Sequence, residues 1–262
     1  MTLPSLFVAH GAPDLPYSPT PARAFTESLG ARYPGLRAIL VISAHWEAGL
    51  PTIGTAPAPE TIYDFGGFDD RLYSLTYPAH TSAPVITEVA DALAAAGIPH
   101  AEDPDRGYDH GVWIPLMLAF PKADVPVIQL SLRRSASAAE NYAMGQALAP
   151  LRDKGVLIVG SGATVHNLRQ IAREGTPAPD WAHAFDDWIV SGVEAGETDR
   201  LLGFPAEPQG ARQAHPTPEH LMPLYVALGA GGGKGRALHR SFSWGSIGMT
   251  TFAFGEGDKA AA

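Results

Sequence analysis

Histidine is the residue whose number and setting in this chain could do chemistry. There are ten in 262 residues, and three of them closely follow short apolar runs. His10 follows Ser5–Ala9 and precedes Gly11-Ala12-Pro13. His45 lies in Ser43-Ala44-His45-Trp46, after Ala38–Ser43. His166 follows Val156–Gly160 across Ser161-Gly162-Ala163-Thr164-Val165. Two more sit in dense polar contexts, His110 in Tyr108-Asp109-His110-Gly111 and His220 in Pro216-Thr217-Pro218-Glu219-His220. Thr217 reads as a helix cap and Pro218 as a first-turn residue, which would present His220 at the helix N-terminus. One histidine at a strand end is commonly an ordinary hydrogen-bonded group. Three at successive strand ends, beside glycines that permit tight turns, point to a shared site. Neutral imidazole suits Zn, Fe, Cu and Ni. Three protein ligands with an open position make a catalytic rather than a structural pattern, and further histidines would serve as acid or base near neutrality. Two chemistries follow, oxygen activation at Fe(II) and hydrolysis by a zinc-activated water. His80, His100, His183 and His239 read as surface residues, and His215 as either a support for the site or a shaper of the turn before His220.

The elements that must position these side chains are legible as alternating patterns. Ser5–Ala9, Ala38–Ser43, Val125–Leu132 and Val156–Gly160 are short continuous apolar runs bounded by Gly, Pro or charge. Such runs fit strands buried on both faces of a sheet. Helical stretches lie between and after them, at Thr20–Arg32, Ala83–Ala96, Ala136–Leu151 and Trp181–Ala195. Val85, Ile86, Val89, Ala90 and Leu93 form a helical stripe in the second of these. Strands alternating with helices predict an α/β fold, a three-layer sandwich with a central, mostly parallel mixed sheet and helices on both faces. In open α/β sheets ligands bind at the carboxyl ends of the strands, which is where His10, His45 and His166 fall. Gly229–Gly235 reads as a glycine-rich surface loop, Ala237–Ser243 and Ser246–Phe254 as a hairpin or adjacent strands, and Gly255–Ala262 as a loose tail. No linker or repeat divides the chain, so one catalytic domain over residues 1–262 is expected.

Composition narrows the partners. A net charge of -9 with no basic run repels phosphate backbones and anionic lipid, which argues against nucleic acid and membrane surfaces. The absence of cysteine removes disulfides, thiolate ligands and thiol nucleophiles together. No signal-like segment or spanning apolar run is visible, and a cytoplasmic protein, monomeric or a small homo-oligomer, is expected.

The ordered set of motifs resembles the 4,5-DOPA extradiol dioxygenase family, within the class III extradiol ring-cleaving dioxygenases. The matching segments are Ala9-His10-Gly11-Ala12-Pro13, Ser43-Ala44-His45-Trp46, Tyr63-Asp64-Phe65-Gly66-Gly67-Phe68, Tyr108-Asp109-His110-Gly111-Val112-Trp113, Val165-His166-Asn167-Leu168 and Pro216-Thr217-Pro218-Glu219-His220, with Gly245-Ser246-Ile247-Gly248-Met249 closing the series. The resemblance implies one divalent metal ion held by His10, His45 and His220. It implies His166 as the catalytic acid–base and His110 as a pocket histidine that contacts substrate or oxygen. Fe(II) would serve the oxygen chemistry, and Zn(II) is a second occupant the same ligands would accept. The substrates would be a small aromatic diol, DOPA-like, and O2. The family's first motif usually carries Gly and Ser where Ala9 and Ala12 stand here, which removes a hydroxyl near the metal and leaves the ligand.

Non-haem Fe(II) oxygenases generally use two histidines and a carboxylate, so Glu219, Asp14 and Glu47 are alternative ligands. Side chains of neighbouring helical residues diverge, which disfavours Glu219 and His220 ligating together. Trp46, Phe65, Trp113 and Tyr225 are candidates for an apolar wall. The rival readings are a zinc-dependent hydrolase on the same histidines and a non-catalytic metal-binding protein.

Overall fold

The computed structural model describes residues 2–206 and 210–255. In chain order its elements are β1 (Ser5–Ala9), α1 (Pro21–Leu29), β2 (Ala38–Ala48), β3 (Thr52–Gly54), α2 (Ala83–Ala95), β4 (Ala101–Asp103), α3 (His110–Ala119), β5 (Val127–Arg133), α4 (Ala138–Leu148), β6 (Val156–Gly162), α5 (Asp180–Ala195), α6 (Thr198–Leu202), α7 (Ala211–Ala214), α8 (Met222–Ala230), β7 (Gly235–His239), β8 (Phe242–Ser243), β9 (Ile247–Gly248) and β10 (Thr251–Phe254). Eight strands form one sheet in the order β4-β3-β5-β2-β6-β1-β10-β7, and β8 pairs with β9 apart from it. The four central strands, β5, β2, β6 and β1, run parallel. The antiparallel pairs lie outside them, β3 on β5 and β10 between β1 and β7.

Strand alternation divides the apolar residues between two cores. Phe7, Leu40, Ile42, Ile128, Leu130 and Ile158 face α2, α4, α5 and α8. Leu6, Val8, Ile39, Val41, Leu157 and Val159 face α1 and α3. Helices therefore cover both faces, which is why these runs are apolar at every position. This is the expected three-layer α/β arrangement.

Local chemistry sets the helix ends. Thr20 caps α1 by accepting from the Arg23 amide, with Pro21 in the first turn. Ser137 and Glu140 form a reciprocal capping box on α4. The short α6 and α7 escaped the sequence reading, as did α3, and of α8 only a start, at Thr217–Pro218, was expected. All nine residues of α8, and all but two of the ten in α3, are buried, so neither carries a polar face to generate a stripe.

The C-terminal third departs from expectation in two ways. Gly229 belongs to α8 rather than to a surface loop, because its lack of a side chain lets the helix approach the Tyr142 carbonyl. The two expected runs do form adjacent antiparallel strands, β7 and β10, but each run is broken, and the inner pieces make the separate β8–β9 pair. Of the expected tail, all but Gly255 lies outside the described residues. Among the described residues no helix is long and apolar enough to cross a membrane.

Candidate metal centre

The four parallel strands deliver their carboxyl ends to one edge, and five histidines gather there. His10 directly follows β1, as expected. His45 is inside β2, not beyond it: β2 continues to Ala48 and rejoins β5 at Glu47 and Ala48. Its pairing with β5 is interrupted between Ile42 and Glu47, so Ser43–Trp46 bulge away from β5 and carry His45 into the site. His166 lies four residues past β6, its amide bonded to the Ala214 carbonyl. His110 opens α3. His220 does not occupy the first turn of a helix capped by Thr217. It sits in the turn before α8, whose first residue is Met222, and the Leu221 and Met222 amides close that turn on Pro218. Proline at 218 serves this turn because its free carbonyl, rather than an amide, is what the turn needs.

The ring nitrogens show what this cluster is prepared to hold. His10 Nε2 and His45 Nε2 are 3.1 Å apart, and His45 Nε2 and His220 Nε2 are 3.3 Å apart. On each ring the opposite nitrogen meets an oxygen. His10 Nδ1 is 2.9 Å from Ser161 Oγ, whose own proton goes to the Gly111 carbonyl. His220 Nδ1 is 2.9 Å from Glu219 Oε1, and His45 Nδ1 is 3.4 Å from Asp64 Oδ2. Ser161 and Glu219 hold the protons of His10 and His220 on Nδ1, and the nearby Asp64 carboxylate favours the same tautomer of His45, which leaves the Nε2 lone pairs for a cation. Ligand nitrogens about 2.0–2.1 Å from a tetrahedral zinc ion stand about 3.3–3.4 Å apart, so the His10–His45 and His45–His220 spacings are close to those of nitrogens that share one ion.

Two donor groups could hold an ion by proximity alone: His10, His45 and His110, and His166, Glu219 and His220. The Nε2 triad joins members of both. Asp14 and Glu47 belong to neither group. Glu219 already accepts from His220 and from Thr217 Oγ1, so it is occupied as a support.

Burial opposes charge on His10, His45, His166 and His220. His10 and His220 are held well below the ordinary imidazole range, first by burial and then by the neighbouring histidines. Burial lowers His45 in the same direction and brings His166 to about 4. Asp64 is opposite in sign. Burial raises its carboxyl, but the bonds and charges of His110 and His45 outweigh that and hold it at about 2. Its Oδ1 accepts from both the amide and Nδ1 of His110, at 3.0 and 2.9 Å. His166 stands apart: its ring stacks on His220 with centroids 3.4 Å apart, and among the described residues its side chain makes no hydrogen bond.

Residues that the sequence reading left without a role hold this arrangement in place. Buried Asp109 accepts from Ser43 Oγ at 2.6 Å, from Arg106 Nη2 at 2.9 Å and from Gln129 Nε2. Ser43 Oγ in turn accepts the His45 amide, so this network fixes the bulge of β2. Gly111 is required beside it, since a Cβ there would stand 3.0 Å from His45 Cδ2 and closer still to Ser43 Oγ. Gly11 has φ +68, which turns the chain sharply behind His10. His215 resolves as a support: buried, with Nε2 2.9 Å from the Thr164 carbonyl, it braces the loop that carries His166. His80 and His183 are exposed as expected, whereas His100 and His239 are half-buried. His239 stacks on Phe25, with centroids 5.0 Å apart.

The histidines line a cavity of about 360 Å³, near the lower end of the roughly 300–1,000 Å³ usual for small-molecule sites. Of the four aromatic wall candidates only Phe65 lines it. Trp113 and Tyr225 are fully buried core residues, and Trp46 carries the Arg106 guanidinium over its ring.

Comparison with known proteins identifies the family. The family described as "Catalytic LigB subunit of aromatic ring-opening dioxygenase" matches residues 23–255. A Beta vulgaris protein named 4,5-DOPA dioxygenase extradiol is 39% identical, covering 95% of this chain and 96% of its own. An Escherichia coli K12 protein of the same name is 36% identical over 88% of this chain and 86% of its own. A crystal structure of an uncharacterized Escherichia coli K12 protein superposes with a TM-score of 0.79 at 32% identity, covering 97% of this chain and all of that one. With its histidine-lined cavity at the carboxyl edge of a mixed sheet, the chain belongs to the LigB family of extradiol ring-cleaving dioxygenases.

Proposed function

We propose that this enzyme opens the ring of a catechol beside its two hydroxyls, incorporating both atoms of O2 to give a ring-opened semialdehyde. His10, His45 and His220 would hold the divalent metal through Nε2, Fe(II) for this chemistry, with Zn(II) accepted by the same ligands. The observation that carries the reading is that His10 Nε2 and His220 Nε2 stand 3.1 and 3.3 Å from His45 Nε2, with Nδ1 of His10 and His220 engaged by Ser161 and Glu219, in a cavity that also contains His166 and His110. The relatives named as extradiol dioxygenases support the same reaction class.

When bound, the ion supplies a meeting point for catecholate and O2 and a route for electrons between them. Three neutral ligands leave its charge undiminished, which favours an anionic diol. His166 is neutral near pH 7 and has free ring nitrogens, so it can take the proton of a substrate hydroxyl. An anion beside it then raises its proton affinity, which lets it keep that proton and return it as the O–O bond breaks. His110 Nδ1–H is committed to Asp64, and its other nitrogen remains available to oxygen or substrate. The Phe65 ring meets His110 edge-on, with centroids 5.7 Å apart, and keeps water from that side.

The test is anaerobic loading with Fe(II), then addition of catechols and oxygen. Oxygen uptake with a yellow semialdehyde is expected with Fe(II) and not with Zn(II). No uptake across a broad catechol panel would overturn the proposal.

A further inference from the structure

The cavity has a polar floor and an apolar mouth. The five histidines and Asp64 form the floor, while Phe65, Phe68, Leu168, Ile171, Trp244 and Ile247 supply most of the remaining side-chain surface. No lysine or arginine lines it among the described residues. Arg169 and Arg173 belong to the same loop as Leu168 and Ile171, are exposed, and stay out of the lining. Asp64 is the one lining carboxylate, and both its oxygens face histidines. A ring carboxylate would therefore shed water without gaining a partner, and an ammonium would find only aromatic faces and the half-buried Asp14 already bonded to Trp244, costs that an apolar substituent does not meet.

Two features of the mouth are unusual in a surface that only meets water. Leu168 is 64% exposed and Ile171 44% exposed although both line the cavity, and large apolar side chains left exposed at a concave site commonly mark binding. Trp244 has φ +50, a left-handed conformation that a bulky residue avoids. Its backbone is held there from both ends, the amide by Glu174 and the carbonyl by the Ala172 and Ser246 amides. Backbone strain of this kind persists where surrounding contacts enforce it, and it gathers at ligand sites. Here it turns the indole toward the cavity.

We infer that this cavity selects catechols whose ring substituent is uncharged and apolar, an alkyl or alkenyl chain, over catechols carrying a carboxylate or an ammonium group. The inference rests on the ring-cleavage reading above and names the substrate class of that site. Each methylene buried against Leu168, Ile171 and Trp244 raises kcat/KM about fourfold, the equivalent of about 0.8 kcal/mol.

The experiment compares catechol, 4-ethylcatechol, 4-propylcatechol, 3,4-dihydroxyphenylacetate and dopamine on the Fe(II)-loaded enzyme. Initial oxygen uptake gives kcat/KM, and quenching of tryptophan fluorescence without oxygen gives Kd. The alkylcatechols are expected to lead the acid and the amine by about tenfold or more in both. Ile171→Arg, at an exposed position, should raise kcat/KM for dihydroxyphenylacetate and lower it for propylcatechol. Trp244→Ala should cost propylcatechol more than catechol. Equal or better turnover of the acid or the amine overturns the inference while leaving ring cleavage standing. If no catechol is cleaved, the ring-cleavage reading fails, and the order of Kd values still decides the substituent preference.

Discussion

Asp64 is a decisive residue to perturb, because one carboxylate orients two histidines. It accepts from His110 through two bonds, at 3.0 and 2.9 Å, and faces His45 Nδ1 at 3.4 Å. Asp64→Ala removes all three interactions. The two His110 bonds are well formed, but the Asp64 side chain is 24% exposed, so the lower part of the roughly 1.5–3 kcal/mol usual for a charged hydrogen bond applies. A stability loss of about 1–2 kcal/mol follows, roughly 2–8 °C in Tm for a domain of this size. Freeing His45 to take the other tautomer should weaken metal binding about 10- to 100-fold, the usual cost of losing an outer partner of a ligating histidine. Asp64→Asn separates the two effects. The amide oxygen can still serve His110, so stability stays near that of the original protein. Its NH2 group, however, faces His45 Nδ1 and forces the proton onto Nε2, withdrawing one of the three lone pairs. Metal affinity by chelator competition and Tm by circular dichroism measure these separately. Both variants should lose metal affinity, and only Asp64→Ala should lose much stability. Wild-type affinity in Asp64→Asn would refute the tautomer argument, and wild-type affinity in both would remove His45 from the ligand set.

Alanine at His10, His45 or His220 should abolish tight metal binding, whereas His166→Ala should keep the metal and lower kcat about 10²- to 10⁴-fold. Elemental analysis beside oxygen uptake distinguishes these, and a metal-free His166→Ala protein would reassign that residue as a ligand. Gly111→Ala adds a Cβ 3.0 Å from His45 Cδ2, an overpacking that should cost about 1–3 kcal/mol and release bound metal. An unchanged Tm and metal content would show that the bulge of β2 yields freely. Burial lowers His215 to about 4, so as pH falls below about 6.5 the unfolded chain takes a proton that the folded one refuses. Stability is complete above that pH and lost toward pH 4, by about 2 kcal/mol at pH 5 from this residue. The urea midpoint of metal-free protein should fall between pH 7 and pH 5, and less so in His215→Gln. Equal falls in the two proteins would contradict the assignment.

What was legible in the sequence followed from local pattern. Ser5–Ala9 and Val156–Gly160 read as strands because both faces of the sheet are covered, and a residue just beyond such a run must emerge at the sheet edge. That logic is enough to bring His10 and His166 together without any knowledge of the pairing. It reached His45 for a partly different reason, since β2 does not end at Ser43 but bulges there and resumes beside β5. It missed α3 and placed only the start of α8, a few residues early, because helices surrounded by protein have no polar face to mark them.

The supports were harder to read than the proposed ligands, and the reason is physical. A ligand must be a particular residue type, so histidine announces itself, while its outer partner need only present an oxygen at the right place. Ser161 serves His10 across 151 residues of sequence, Asp109 serves Ser43 across 66, and Asp64 serves His110 across 46. Serine and aspartate occur throughout the chain, and no spacing rule links residues that meet only after the sheet has formed. Yet these partners decide which nitrogen of each ring carries the proton. Without Ser161, Asp64 and Glu219 the same histidines could form a chain of imidazole–imidazole hydrogen bonds. With them, the Nδ1 atoms of His10 and His220 are engaged by Ser161 and Glu219 and their Nε2 atoms are left beside His45 Nε2, the arrangement that the proposed cation would complete.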